Sequence, residues 1–237
     1  MVPRTDADAE PERPRAPLSR DRVLRTAVAL ADAEGLGALT MRRLGQELGA
    51  EAMSLYHHVA GKEAVLDGVV EVVAAEILDV ASEVEAPDPA EDWRGALRAR
   101  ILAARTVLLR HPWAPAVIET RTSLSVGVVT WYDQLLGIMR AGGMSYDLAH
   151  HAMHALGSRA LGFTHELFEP DDPEVGDEEA AAMLEEMAGR LPHLVEMMGE
   201  IAHGDEGQLG WCDDQFEFEF GLDLLLDGLE RRRAAEG

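Results

Sequence analysis

Cysteine and long apolar runs are both scarce in this 237-residue chain. A single cysteine, Cys212, excludes an intrachain disulfide and a cysteine-rich zinc site. The most apolar stretch, residues 64–81, is interrupted by four acidic side chains and is too charged for a membrane span. The N-terminus is rich in proline and charge and has no apolar segment that would export the chain. We therefore expect a soluble, cytoplasmic protein with no membrane partner.

Positive charge is also in short supply. The chain has 21 Lys and Arg against 44 Asp and Glu, and its net charge is −23. The imbalance lies after residue 62, because residues 1–62 hold equal numbers of basic and acidic side chains. A broad basic coat for nucleic acid is therefore excluded. The neutral N-terminal part could approach a polyanion at little electrostatic cost, whereas the acidic remainder would be repelled.

Strand-like alternation is almost absent after residue 17, and helical spacing of apolar residues predominates. The prolines and charges of 1–17 indicate a disordered arm, and the acidic segment 169–179 indicates a solvated loop. The spacing predicts an all-α protein with an N-terminal domain at 18–66 and a larger helical domain at 67–237. The predicted helices are 20–34, 41–48, 51–58, 62–83, 92–110, 113–119, 124–141, 145–168, 180–190, 191–202 and 214–233.

The predicted helices 41–48 and 51–58 are separated by a tight turn at Gly49. This arrangement is typical of a helix-turn-helix, whose second helix enters the major groove of DNA. Three apolar side chains would face inward and hold the two helices together: Leu44, Leu48 and Leu55. Donors to phosphates or bases surround the short helix: Arg42, Arg43, Tyr56, His57, His58 and Lys62. The spacing alone leaves two functions open, DNA binding and protein recognition by a helical adaptor.

Longer motifs add a family resemblance. The run LTMRRLGQELG at 39–49, with LYHHV at 55–59 and KEAVLD at 62–67, resembles the DNA-binding domain of the TetR family of transcriptional regulators. The segment FEFGL at 218–222, followed by GLE at 228–230, resembles the last helix of the tetracycline-sensing members. The resemblance implies a three-helix DNA-binding domain followed by a helical ligand-binding and dimerisation domain. It also implies a homodimeric repressor that leaves double-stranded operator DNA when a small molecule binds.

The resemblance further implies roles for individual residues. Thr40 and Tyr56 would contact phosphates, and Lys62 would anchor the next helix to the DNA backbone. Arg42 would read guanine, whose O6 and N7 accept two hydrogen bonds from arginine. The base-reading residues 52–53 depart from those of the tetracycline-sensing members, which indicates a different operator. The rest of the predicted DNA-contacting set is Arg43, Ala52, Met53, Ser54 and His57.

The resemblance places the small molecule among the central helices of the larger domain, and the dimer contact on 145–168 and 214–233. The last helix carries an apolar stripe that suits burial against a partner or within its own chain: Phe216, Phe220, Leu224 and Leu225. The predicted pocket residues are Arg105, Trp113, Trp131, His151, His154 and Glu166.

Tetracycline-sensing members chelate a ligand-bound magnesium ion with a histidine and, across the dimer, a glutamate. Glu166 matches the glutamate, but the histidine position falls at or near Ile118, which cannot ligate a metal. We therefore expect a sizeable, mostly apolar effector. His150, His151 and His154 have the spacing of a clamp on one helix face, but without a matching cysteine or carboxylate we predict no metal site and no cofactor.

An enzyme is the main alternative from another class. The sequence has no Gly-rich phosphate loop, no G-x-S-x-G motif and no Cys–His pairing of known spacing. Its scattered acidic residues are typical of solvated helix faces. We therefore expect a protein without catalytic residues.

Overall fold

The computed structural model describes residues 17–123, 125–162, 189–193, 196 and 214–236, without the side chains of 158–162 and 214. Within these ranges the chain forms helices, turns and loops and has no β-strand. The all-α prediction is confirmed. Across the same residues, no helix combines the length and apolar character that a membrane span needs.

The helices follow the predicted order. Their bounds are α1 Arg20–Glu34, α2 Met41–Leu48, α3 Ala52–Leu55, α4 Lys62–Glu83, α5 Trp93–Arg110, α6 Ala114–Thr120, α7 Val126–Ala141, α8 Tyr146–Gly162 and α9 Asp214–Glu236. A short 3₁₀ turn, Leu36–Ala38, joins α1 to α2. The predicted helix 145–168 is described only as far as α8 reaches. The predicted arm and acidic loop, and most of the predicted helices 180–190 and 191–202, lie outside the described residues.

The predicted helix 51–58 is too long. Only Ala52–Leu55 is α-helical, and residues 56–58 form a turn. The N–H of His58 donates to the carbonyl oxygen of Leu55 at 2.8 Å, three residues back, so the chain tightens where an α-helix would continue. The consequence is a very short recognition segment between α2 and α4.

The described chain divides into two compact units. The first holds the described residues of 17–80 and 110–131, and the second holds residues 81–109 with the described residues from 132 onward. Helix α6 and the first residues of α7 therefore belong with α1 to α4, although they come later in the chain. The predicted domain boundary after residue 66 stays a prediction.

In the second unit, charged side chains join α5 to the antiparallel α9. Arg98 donates through Nε to Asp223 at 2.8 Å and through Nη2 to Glu219 at 2.6 Å. One turn earlier, Arg94 pairs with Asp227. These groups are partly exposed, so the solvent screens them and each pair adds only modest stability.

The start of α5 is packed against the turn between α7 and α8. Trp93 is 6% exposed, and its indole N–H donates to Glu230 of α9 at 3.0 Å. A Cβ on Gly142 would lie 2.5 Å from the Trp93 side chain, so only glycine lets the turn approach this closely. Arg233 donates to the Gly142 carbonyl oxygen at 3.2 Å and also binds Glu230. These contacts fix the end of α9 within its unit.

Helix α9 presents two apolar faces. Its inner face is 1% exposed at each of three side chains: Phe218, Leu222 and Leu226. Its outer stripe is exposed in the single chain at Phe216 (63%), Phe220 (54%) and Leu224 (55%). Leu225, predicted on the same stripe, is half-buried between the two faces. The helix therefore has a core face and a separate apolar face that is more than half exposed at these three side chains.

Candidate nucleic-acid interface and sensing residues

Local sequence signals position the pair α2 and α3. The Thr40 hydroxyl accepts a hydrogen bond from the N–H of Arg43 at 3.1 Å and caps α2, which ends at Gly49 with a left-handed φ of 64°. The three predicted leucines are buried, with exposures of 1% at Leu44, 5% at Leu48 and 0% at Leu55. The prediction that they hold a helix-turn-helix together is confirmed.

The turn between α2 and α3 is unusually close. A Cβ on Gly45 would lie 2.9 Å from the carbonyl oxygen of Ala50 and 3.2 Å from the backbone nitrogen of Ala52. Because both neighbours are backbone atoms, a side chain at position 45 could not be accommodated by a rotamer change. Gly45 therefore sets the distance at which α3 crosses α2.

The predicted DNA-contacting residues fall into two groups by exposure. Thr40, Arg42, Met53, Tyr56, His57 and Lys62 are exposed, and Arg43, Ala52 and Ser54 are half-buried. Met53 is 71% exposed and Tyr56 is 47% exposed, so neither side chain belongs to the hydrophobic core. Hydroxyl, guanidinium, imidazole and ammonium donors of this kind bind phosphates and base edges.

Arg43 is engaged within the domain. Its Nη2 donates to Glu34 of α1 at 2.6 Å, and its Nη1 donates to Glu47 of α2 at 2.7 Å. The hydrogen bonds to Glu34 and then to Glu47 raise the pKa of the Arg43 guanidinium above its ordinary value. In this structure Arg43 ties α1 to α2, and the sequence prediction that it contacts DNA stays a prediction.

The predicted pocket residues lie on different parts of the fold. Arg105 is 7% exposed in the second unit, where its Nε donates to Gln215 at 3.0 Å and its guanidinium lies 4.1 Å from the centre of the Phe218 ring. Trp113 belongs to the first unit, and Trp131 is half-buried. Glu166 lies outside the described residues. Their assignment to an effector pocket therefore stays a prediction.

His151 and His154 are exposed on α8 together with His150. The ring centroids of His150 and His154 are 4.7 Å apart, and those of His150 and His151 are 5.6 Å apart. Asp147, one turn before His151, lies on the same side, with a carboxylate oxygen 4.0 Å from the imidazole. Within the described ranges no three such side chains are arranged to hold a metal ion.

A polar junction in the first unit was not predicted from the sequence. His111 is 6% exposed, and its Nδ1 lies 2.8 Å from Asp32 of α1 while its Nε2 lies 3.1 Å from Glu76 of α4. The indole N–H of Trp113 donates to the same Asp32 oxygen at 2.7 Å. Arg110 completes the junction with a 2.8 Å ion pair to Glu76. The segment before α6 is thereby joined to α1 and to α4.

A second set of contacts joins the segment after α6 to the start of α4. Arg121 donates to Glu63 at 2.7 Å, and the Ser123 hydroxyl donates to Asp67 at 2.8 Å. Glu71, one turn further along α4, accepts from the backbone N–H groups of residues 126 and 127 at 3.0 and 3.2 Å. The hydrogen bond to Glu63 raises the pKa of Arg121 above its ordinary value. The sequence shows that acidic side chains recur along α4, but it does not predict which residues they contact.

The fold and this surface define a class of protein, the helix-turn-helix regulators with a second helical domain. Comparison with known families agrees: the model of bacterial regulatory proteins of the tetR family matches residues 23–69, and that of the tetracyclin repressor-like C-terminal domain matches residues 86–233. The chain belongs to the TetR family. It is a ligand-responsive, DNA-binding transcriptional regulator.

Individual relatives extend over nearly the whole chain. The transcriptional repressor DrrR1 of Streptomyces coeruleorubidus is 31% identical over 95% of this chain and 82% of its own length. The tetracycline repressor protein class C of Escherichia coli is 28% identical over 91% of this chain and 92% of its own. The crystal structure of apo ActR from Streptomyces coelicolor is 28% identical, with a TM-score of 0.71 over 94% of this chain and 99% of its own. Another structure of ActR, in complex with actinorhodin, has a TM-score of 0.67 at 28% identity over 92% of this chain and 99% of its own.

Proposed function

We propose that this protein is a homodimeric repressor that binds double-stranded operator DNA through α2 and α3 of each protomer and is released by a small molecule. The observation that carries the proposal is the capped, leucine-packed helix-turn-helix, whose outer surface presents Arg42, Tyr56 and Lys62. The outer stripe of α9 supplies the face for the second protomer. Such a repressor acts where bacterial operator DNA lies, in the cytoplasm.

The strong negative charge is compatible with this function because it is unevenly distributed. Residues 1–62 are neutral overall, and the −23 lies in the rest of the chain. Salt screens charges beyond about 8 Å at physiological ionic strength, so distant acidic groups cost little at the groove. Non-specific DNA binding depends mostly on phosphate contacts, and we therefore propose that loose binding to random DNA is weak.

The test is a gel-shift titration of the full-length protein on DNA flanking its own gene, at modest salt and with random DNA as competitor. Retention of a flanking fragment, lost in the double variant Tyr56→Ala with Lys62→Ala, supports the proposal. If no fragment from the flanking DNA or from a random library is retained, the operator-binding function is wrong. Capture of a protein by the same surface would then favour the helical adaptor.

Arg42→Ala is expected to weaken specific operator binding by about 1–3 kcal/mol and to relax sequence preference at one position, because arginine reads guanine through two hydrogen bonds. Titration of the operator and of operators changed at each position measures both effects. Arg232→Ala, which removes an exposed arginine near the end of α9, is the matched control and should change neither. An equal loss on every DNA sequence would instead make Arg42 a phosphate contact.

The proposed effector is a sizeable, mostly apolar compound bound within the helical domain, with Arg105, Trp113, Trp131, His151, His154 and Glu166 as candidate contacts. The structure of ActR with actinorhodin supports an organic ligand of this kind. Helical pockets favour apolar contact with a few polar anchors. Ile118, at or near the position of the metal-binding histidine, is half-buried and carries no ligating atom.

Magnesium is therefore expected to have no effect on effector binding. Calorimetric titration with tetracycline, with magnesium and then with EDTA, should show no tight magnesium-dependent binding, because one of the two protein ligands is missing. Operator release by tetracycline plus magnesium would contradict this expectation. In that case the metal must find another ligand in the chain.

The contacts of the first unit support a route from effector to DNA. Residues 110–127 are joined to α4 through Glu63, Asp67, Glu71 and Glu76, so a change in this segment would reach α4 directly. Two recognition helices must lie one turn of DNA apart, about 34–36 Å, to bind together. An effector that favours another spacing lowers operator affinity by its differential binding, typically about 1–3 kcal/mol.

A further inference from the structure

Met53 is the large apolar side chain that α3 exposes. It is 71% exposed, whereas Leu55 of the same short helix is completely buried. Its neighbours Ala52 and Ser54 are half-buried. Met53 therefore lies on the outer surface of the helix that a helix-turn-helix directs into the major groove, and it contributes little to the packing of its own domain.

The types of side chain on α3 limit which bases this helix can recognise. Guanine and adenine are read by side chains that make two hydrogen bonds, such as Arg, Lys, Asn and Gln. Ala52, Met53 and Ser54 offer none of these. Thymine is the base that presents an apolar group in the major groove, its C5-methyl, and that group is recognised by apolar contact. Methionine suits such a contact because its thioether chain is unbranched, long and polarisable.

The residue before α3 has a different preference. Glu51 is exposed and occupies the N-cap position of α3. A carboxylate is repelled by phosphates and among the base edges accepts from the cytosine amino group, so it gains nothing from a methyl group. Ala52 is apolar but half-buried and short, so Met53 is the side chain of α3 that is exposed enough to make the apolar contact.

We infer that Met53 reads a thymine in each operator half-site by contact with its C5-methyl group. This inference rests on the proposed operator-binding function and adds the class of base that α3 recognises. The half-site then combines a guanine that faces Arg42 with an A·T pair whose thymine methyl faces Met53. Loss of one methyl contact is expected to weaken binding about fourfold per half-site, the effect of one buried methyl group.

The experiment has two stages and uses the full-length dimer. Selection from a random DNA library gives a consensus for the wild type, for Met53→Ala and for Val126→Ala. Val126 is 74% exposed outside the helix-turn-helix and serves as the control for loss of exposed apolar surface. We expect the wild type and Val126→Ala to require one thymine per half-site. Met53→Ala should accept any base at that position.

In the second stage, deoxyuridine replaces that thymine, which removes the methyl group and leaves base pairing intact. The wild type should lose about fourfold in affinity per substituted half-site, and Met53→Ala should be insensitive. Met53→Leu, which keeps an apolar side chain, should remain sensitive. The inference is wrong if a consensus is found but Met53→Ala retains the same thymine requirement or the same deoxyuridine effect. Failure of the wild type to select any DNA would instead refute the proposed function.

Discussion

Phe220→Glu is expected to convert the dimer into monomers and to weaken operator binding roughly hundredfold or more, because a carboxylate in an apolar interface costs several kcal/mol. Phe220 is 54% exposed in the single chain and stacks on Phe216 at a ring-centroid distance of 6.5 Å. Together with Leu224, these rings form a stripe whose side chains are each more than half exposed. Simultaneous binding of two half-sites requires the protomers to be joined, so both properties should be lost together.

Light scattering during size-exclusion chromatography measures the mass, and gel shift measures the affinity. Leu109→Glu is the matched control, because Leu109 is 53% exposed on α5 of the same unit and lies off the stripe. It should remain dimeric and bind normally. A dimeric Phe220→Glu variant that still binds operator would place the protomer contact on another face.

His111→Leu is expected to destabilise the protein by about 2–3 kcal/mol, because both imidazole nitrogens contact carboxylates and hydrogen bonds to charged groups are worth about 1.5–3 kcal/mol. Leucine fills similar space but leaves Asp32 and Glu76 each without one partner. The loss of stability is limited because Trp113 still binds Asp32 and Arg110 still binds Glu76.

Thermal unfolding measures this loss as a decrease in Tm of roughly 5–10 °C for a chain of this size. His151→Leu is the control, since the His151 side chain is 71% exposed and lies 4.0 Å from a carboxylate oxygen of the exposed Asp147. It should unfold close to the wild-type temperature. Equal Tm values for the two variants would show that the junction contributes no stability.

Features set by neighbouring residues were predictable from the sequence. Ser19 and Thr40 cap α1 and α2, and such caps can be read locally because the side-chain acceptor lies three residues before the N–H that it binds. The buried leucines of the helix-turn-helix followed from helical spacing. The end of α3 at Leu55 did not, because the tightening at residues 56–58 depends on how the chain turns into α4.

Side chains with distant partners were not predictable. Spacing did not predict the partners of Arg43, because one of its two carboxylates, Glu34, belongs to α1 and lies nine residues earlier. Helical spacing gives His111 no partner, although it contacts Asp32 and Glu76, which are 79 and 35 residues away. Spacing describes one helix at a time and carries no information about which other helix will be adjacent. Such contacts require the tertiary structure.

The charged contacts between α5 and α9 attract the helices without fixing their alignment. The acids Glu219, Asp223 and Asp227 repeat every four residues, so sliding α9 by one turn, about 5.4 Å, in one direction would still place a carboxylate opposite Arg94 and Arg98. The alignment is set instead at the end of α9, where Glu230 accepts from the Trp93 indole and Arg233 donates to the Gly142 carbonyl oxygen. Sliding α9 by one turn would break both hydrogen bonds, so these two contacts distinguish the observed setting from the electrostatically similar alternative.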